Sequence, residues 1–276
     1  MSANSSNASI RPPAVAGFFY PGDRAELTTM VSELIAGVSV NPLPRAPKAY
    51  IVPHAGYVYS GSTAAIAYAM AAQQRASLRR IILIGPSHRV YLRGIAVPQA
   101  DVFRTPLGEV PLDAQRKRTL VRRGDVILSD APHAQEHSLE VQLPFLQRLL
   151  EGFEILPLVV GEAAPEHIVA VLSDVFDDTD TLLLASSDLS HYLDYEQAQR
   201  RDAETSVRIR AFANDLSGDQ ACGAVALNGV LTFAKHRQAS ITELARLNSG
   251  DTAGDRSRVV GYGAYAIHDA RPRNTQ

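Results

Sequence analysis

Short apolar runs alternate along this chain with stretches of helical period. Ala49–Val52, Arg80–Ile84, Glu154–Val160 and Thr181–Ala185 are near-continuous apolar segments of the length of buried strands. Weaker strand signals recur at Gly94–Pro98 and Val126–Leu128, and Arg258–Ile267 closes the pattern as a long strand. Pro157 cannot donate to a ladder, which either argues against Glu154–Val160 as a strand or puts it near a sheet edge. Asp23 can cap a helix through Ile35, with Leu27, Met30, Val31, Leu34 and Ile35 in period. Further helices are predicted over Ser62–Gln74, Ser138–Leu150, Pro165–Asp174, Tyr195–Ala213 and Ala221–His236. Strands alternating with helices predict a single α/β domain whose central sheet is mixed, largely parallel and flanked by helices. The domain is placed at residues 11–270. Polar residues 1–10 predict a disordered tail, and 271–276 a short C-terminal one.

Composition supports a folded protein and narrows its partners. Of 276 residues, 46% are hydrophobic and 20% charged, enough apolar material for a core. The formal net charge of −2 gives no electrostatic case for nucleic acid or an anionic membrane surface. Cys222 is the sole cysteine, so an internal disulfide framework and a Cys-rich zinc module are both excluded. The chain has no apolar run of about 18 residues, and its first ten residues lack the apolar stretch of a signal peptide. A cytoplasmic location is the expectation.

The histidines carry the chemical signal. Val52 is followed by His54, Ile84 by His88 and Ala185 by His191. Open α/β sheets bind ligands beyond the carboxyl ends of their strands, so three such imidazoles can converge at one crevice. A single histidine there is more often a cap or core residue; the threefold recurrence points to a metal centre or a proton-transfer site. Asp188 stands three residues before His191, where it can orient the imidazole or cap the next helix. His133 and His137 are four apart, as on one helix face, with Glu136 and Ser138 near a helix start. On these grounds His133 reads as a surface residue. Cys222 alone reads either as a small buried hydrophobe or as a thiolate ligand. No Gly-x-Ser-x-Gly, P-loop or dinucleotide fingerprint is present.

A set of ordered motifs gives these residues a context. They are Pro13–Pro21, Val52-Pro53-His54-Ala55-Gly56-Tyr57-Val58-Tyr59-Ser60-Gly61, Gly85-Pro86-Ser87-His88, Thr105-Pro106-Leu107-Gly108 and Glu136-His137-Ser138-Leu139-Glu140. Ser186-Ser187-Asp188-Leu189-Ser190-His191-Tyr192, Ala221-Cys222-Gly223 and Val260-Gly261-Tyr262 complete it. In this order they resemble the Memo family, whose bacterial members are described as component B of an AMMECR–Memo–radical SAM system. The resemblance implies a fold like that of class III extradiol dioxygenases, which are non-haem iron enzymes. It implies His54, His88 and Cys222 as metal ligands, His191 as the acid/base histidine, and Asp188 and His137 as further pocket residues. Cys222 stands where those dioxygenases use a carboxylate. A thiolate is softer and oxidisable, so iron or copper is expected first and zinc third. The expected function is a metal-dependent oxidoreductase. The alternatives are a non-catalytic adaptor that binds a peptide in the same pocket, and an accessory to AMMECR-type and radical SAM partners.

Overall fold

The computed structural model describes residues 8–41, 45–176 and 179–269. Its strands are β1 (Ile10–Arg11), β2 (Ala49–Val52), β3 (Arg80–Pro86), β4 (Ile95–Val97), β5 (Val102–Thr105), β6 (Gly108–Pro111), β7 (Ile127–Leu128), β8 (Glu154–Val160), β9 (Thr181–Ser186), β10 (His191–Leu193), β11 (Ser240–Asn248) and β12 (Val259–His268). Its helices are α1 (Arg24–Ala36), α2 (Tyr57–Ala71), α3 (Ala114–Arg123), α4 (Ala131–Ala134), α5 (Leu143–Leu149), α6 (Pro165–Val175), α7 (Tyr195–Arg210) and α8 (Ala224–His236).

The large sheet runs β12-β2-β9-β3-β8-β4-β7, with β11 and β10 both paired to β12. Its centre, β2-β9-β3-β8, is parallel; β12 and β4 run antiparallel to their neighbours β2 and β8. The mixed, largely parallel sheet expected from the alternating pattern is therefore observed. Both faces are covered, which is why the central strands are apolar throughout. Tyr50 and Val52 of β2 pack on one side with Leu27 and Val31 of α1, Ala64 and Tyr68 of α2 and Phe145 of α5. Ala49 and Ile51 pack on the other with Ile168 and Leu172 of α6 and Leu227 and Leu231 of α8. The period of two along each strand thus divides one run of residues between two cores. No helix among the described residues is long and apolar enough to cross a membrane.

Four expectations need correction. First, Pro157 does not prevent β8 from being an inner strand: β8 lies between β3 and β4, two strands in from β7. The Glu154 N–H bonds Arg79 O, whereas the Ile155 C=O accepts from Asp113 on the opposite side. Alternation therefore turns the Pro157 nitrogen to the β4 side, where β4 pairs only with Val159 and Val160. Second, the first tail ends earlier than residue 10. The Ser9 N–H donates to Asp101 Oδ2 at 3.1 Å, and β1 pairs in parallel with Val102–Phe103. Residues 1–7 and 270–276 lie outside the described residues. Third, α2 starts at Tyr57 rather than Ser62, its first N–H bonded to Phe19 O at 2.7 Å. Fourth, α5 starts at Leu143 rather than Ser138, after a 3-10 turn at Glu140–Gln142, and α8 starts at Ala224, which leaves Cys222 and Gly223 in the loop before it.

Candidate metal centre

The parallel strands deliver the predicted residues to one place. His54 follows β2, His88 follows β3, and Asp188 and His191 follow β9, all at the carboxyl ends of three adjacent strands. Cys222 reaches the same point from the loop before α8, and His137 from the loop after α4. All six line one open cavity of about 790 Å3.

The donor atoms of His54, His88 and Cys222 lie within 4.8 Å of one another. Cys222 Sγ is 3.1 Å from His54 Nε2 and accepts the Asp188 backbone N–H at 3.3 Å. Gly223 is what permits this approach. A Cβ there would stand 2.8 Å from Ser186 O and from the Ser187 side chain.

Three of the four imidazoles, those of His54, His88 and His191, have a fixed tautomer. The Ser186 hydroxyl donates to Ser138 O at 2.6 Å, so its oxygen accepts from His54 Nδ1 at 2.9 Å. His88 Nδ1 donates to Glu136 Oε1 at 2.9 Å, and its backbone N–H to Glu136 Oε2 at 2.6 Å. His191 Nδ1 donates to Leu189 O at 2.9 Å. In all three rings Nδ1 carries the hydrogen, and Nε2 keeps the lone pair needed for a metal or a proton.

Burial sets the protonation states. It holds His54 well below the usual histidine range, aided by the neighbouring imidazoles of His137, His88 and His191. It lowers His137 to about 4 and lowers His191 as well. Burial, then the nearby Asp188 carboxylate, pushes the Cys222 thiol up to about 12. It also raises Asp188 to about 7, against bonds from the His54 and Ala55 backbone that favour the anion. For Glu136 burial acts upward, but the bonds from His88 outweigh it and hold the carboxyl at about 2.

Two local pairings differ from expectation. Asp188 neither orients His191 nor caps a helix. Its Oδ1 accepts the His54 backbone N–H at 2.7 Å, and its Oδ2 lies 4.0 Å from His54 Nε2. His133 and His137 do not share a helix face, because α4 ends at Ala134. His133 is buried rather than on the surface and bonds Ala96 O through Nε2 at 3.1 Å. His137 stays at the site, its ring 4.8 Å from that of His88 and 5.4 Å from that of His54. Its buried Nδ1 is 3.4 Å from Glu136 Oε1 without hydrogen-bond alignment.

Sequence reasoning missed the carboxylates behind the site. Glu136 was legible as a capping residue and as part of the Glu136–Glu140 motif, not as a buried partner of His88. Glu140, fully buried, pairs with Arg11, accepts Ala14 N–H at 2.7 Å and Val15 N–H at 3.1 Å, and bonds the Tyr20 hydroxyl. Arg11 also donates to His133 O at 3.1 Å and Glu136 O at 2.7 Å. This network ties the amino-terminal segment to the loop that carries Glu136 and His137.

Comparison with known proteins gives the family and the fold. The profile of a family described as Memo-like protein matches residues 11–266. The chain belongs to the Memo family. A MEMO1 family protein of Aquifex aeolicus is 36% identical over 268 residues, covering 92% of this chain and 97% of the relative. One from Methanopyrus kandleri is 35% identical over 278 residues, with the same coverage. The crystal structure of an uncharacterized protein from Escherichia coli K12 shares the fold. It has a TM-score of 0.54 and 15% identity, over 80% of this chain and 100% of that one. The Memo motifs and the cavity coincide: Pro-His-Ala-Gly, Gly-Pro-Ser-His and Ala-Cys-Gly each place one donor in it.

Proposed function

We propose that this Memo-family protein holds a redox-active transition metal on His54, His88 and Cys222, with iron or copper ahead of zinc. The observation that carries the reading is the 3.1 Å approach of Cys222 Sγ to His54 Nε2, within a three-residue donor group. The donor set fits such an ion. Ligands about 2.0–2.3 Å from a tetrahedral metal stand about 3.3–3.8 Å apart; the His54–Cys222 pair, at 3.1 Å, is near that spacing, and all three donors lie within 4.8 Å of one another. Two imidazoles with free Nε2 lone pairs and one thiolate suit copper, iron or zinc better than magnesium or calcium.

When bound, the metal would supply Lewis acidity and one-electron chemistry toward an oxygen-bearing molecule. The protein's own residues do the rest. Glu136 fixes the plane of the His88 ring from behind, and Ser186 does the same for His54. Asp188 binds the His54 backbone N–H and gives its own N–H to the Cys222 sulfur, locking these two ligands to each other. His191 is neutral and offers Nε2 as a proton acceptor, with Nδ1–H committed to Leu189 O. The proton of a bound hydroxyl group would move to that atom.

The test is dioxygen uptake by anaerobically purified protein loaded with Fe(II) or Cu(I), with ascorbate as electron donor. Uptake above that of the free metal is expected, and about tenfold slower uptake by His191→Ala at unchanged metal content. Uptake no faster than with the free metal would overturn the redox reading.

A further inference from the structure

The cavity lining carries a second chemical feature, outside the donor set. Tyr192 has φ of +61°, a left-handed conformation that a tyrosine rarely adopts. It sits at the irregularity in the β10–β12 pairing between His191 and Leu193. Such bulges re-aim side chains beside functional sites. Here the strain buys no burial, since Tyr192 is 64% exposed. The ring instead stands at the cavity wall beside His191, with centroids 5.7 Å apart. Strain kept at an exposed residue next to a site points to use at that site.

Arg258 explains the orientation of the ring. Its guanidinium carbon lies 5.1 Å from the centre of the Tyr192 ring, and it lines the same cavity. Among the described residues no carboxylate lies within ion-pair distance of it. Asp255, the exposed carboxylate on the same wall, is turned to the Ser257 N–H at 2.6 Å. A guanidinium held over an aromatic ring makes no hydrogen bond to it, so its N–H groups stay available to a ligand. Those groups match a planar group with two oxygens.

We infer that Arg258, held on the Tyr192 ring, is an anchor for a carboxylate, and that the molecules this pocket takes are small organic acids. The inference rests on the metal-site reading only for the fate of the other end of the molecule. β12 and β3 are three strand spacings apart, about 14 Å, so an acid of modest length bound at Arg258 spans toward His54 and His88. Arg89 also lines the cavity but has no ring beneath it, so it serves as an internal control.

The experiment is a 19F NMR titration of the metal-free full-length chain with 4-fluorobenzoate and its neutral isostere 4-fluorobenzamide. Metal-free protein is used because a carboxylate would also ligate a metal. Binding of the benzoate about tenfold tighter than the amide is expected. Arg258→Gln should abolish the preference, and Arg89→Gln should leave it within about threefold. Tyr192→Gly relieves the left-handed strain, so its Tm should hold or rise while the preference falls as in Arg258→Gln. Equal binding of the two probes, no binding of either, a preference that survives Arg258→Gln, or one lost equally in Arg89→Gln would each overturn the anchor. So would a Tyr192→Gly variant that loses stability yet keeps the preference. Metal loading is measured separately on the same batches, so the anchor and the metal site can fail independently.

Discussion

Cys222 and His54 are 168 residues apart in the chain, yet Sγ and Nε2 stand 3.1 Å apart at the end of the parallel sheet. The relationship depends on Asp188, which binds the His54 backbone through Oδ1 and gives its own N–H to the sulfur. One loop after β9 thus holds two donor residues that come from distant parts of the sequence.

Glu136 should govern metal affinity without being a ligand. It accepts both the ring Nδ1 and the backbone N–H of His88. Glu136→Gln keeps the shape but removes the charge and one acceptor. A loss of about 10–100-fold in affinity is expected, with the fold retained. A competition titration with a chromogenic chelator measures it, with circular dichroism as the fold control.

The Arg11–Glu140 pair should be a major stabilising contact. Both side chains are buried, and Glu140 also serves Ala14, Val15 and Tyr20. Glu140→Leu would leave the Arg11 charge buried and unpaired. A loss of about 3–5 kcal/mol in urea denaturation is expected. The double variant Arg11→Met, Glu140→Leu should recover only the part due to the unpaired charge, because Ala14 N–H, Val15 N–H and the Tyr20 hydroxyl lose their acceptor in both variants.

His133 should make stability fall in mild acid. Burial, opposed by the bond to Ala96 O, lowers it to about 4, below its unfolded value of about 6.5. The unfolded chain therefore binds a proton first as pH falls. The stabilising contribution is complete above pH 6.5 and is lost as pH drops toward 4, on the order of 3 kcal/mol in all. His133→Gln should remove that share of the decline between those values, leaving the share of His54 and His137, measured by urea denaturation at stepped pH.

Much of this arrangement was legible in the sequence, for identifiable reasons. The apolar runs 49–52, 80–84 and 181–185 are strands buried on both faces, so nothing polar interrupts them. Each feeds a histidine straight into the crevice, which made His54, His88 and His191 visible as a set. Other elements left weaker traces. α3 reads AQRKRTLVRR and buries only Leu120 and the Lys117 stem, so its period is faint; Asp113 and the left-handed Gly124 at its ends were the available signals. β11 loses its alternation at the register shift between Glu243 and Ala245. Glu136 and Glu140 could not be recognised as buried, because their partners His88 and Arg11 are 48 and 129 residues away. Cys222 carried no local signal of its own, and only the family motif singled it out.

The central claim is that His54, His88 and Cys222 form one metal centre. Its most direct test is metal content by inductively coupled plasma mass spectrometry on anaerobically purified protein, alongside His54→Ala, Cys222→Ala and, as a control away from the donor set, Arg258→Gln. The account predicts near-stoichiometric iron or copper in the parent protein and in Arg258→Gln, and loss of that metal in both ligand variants. A parent protein with no bound metal and no uptake of Fe(II), Cu(I) or Zn(II), or ligand variants that keep their metal, would contradict it.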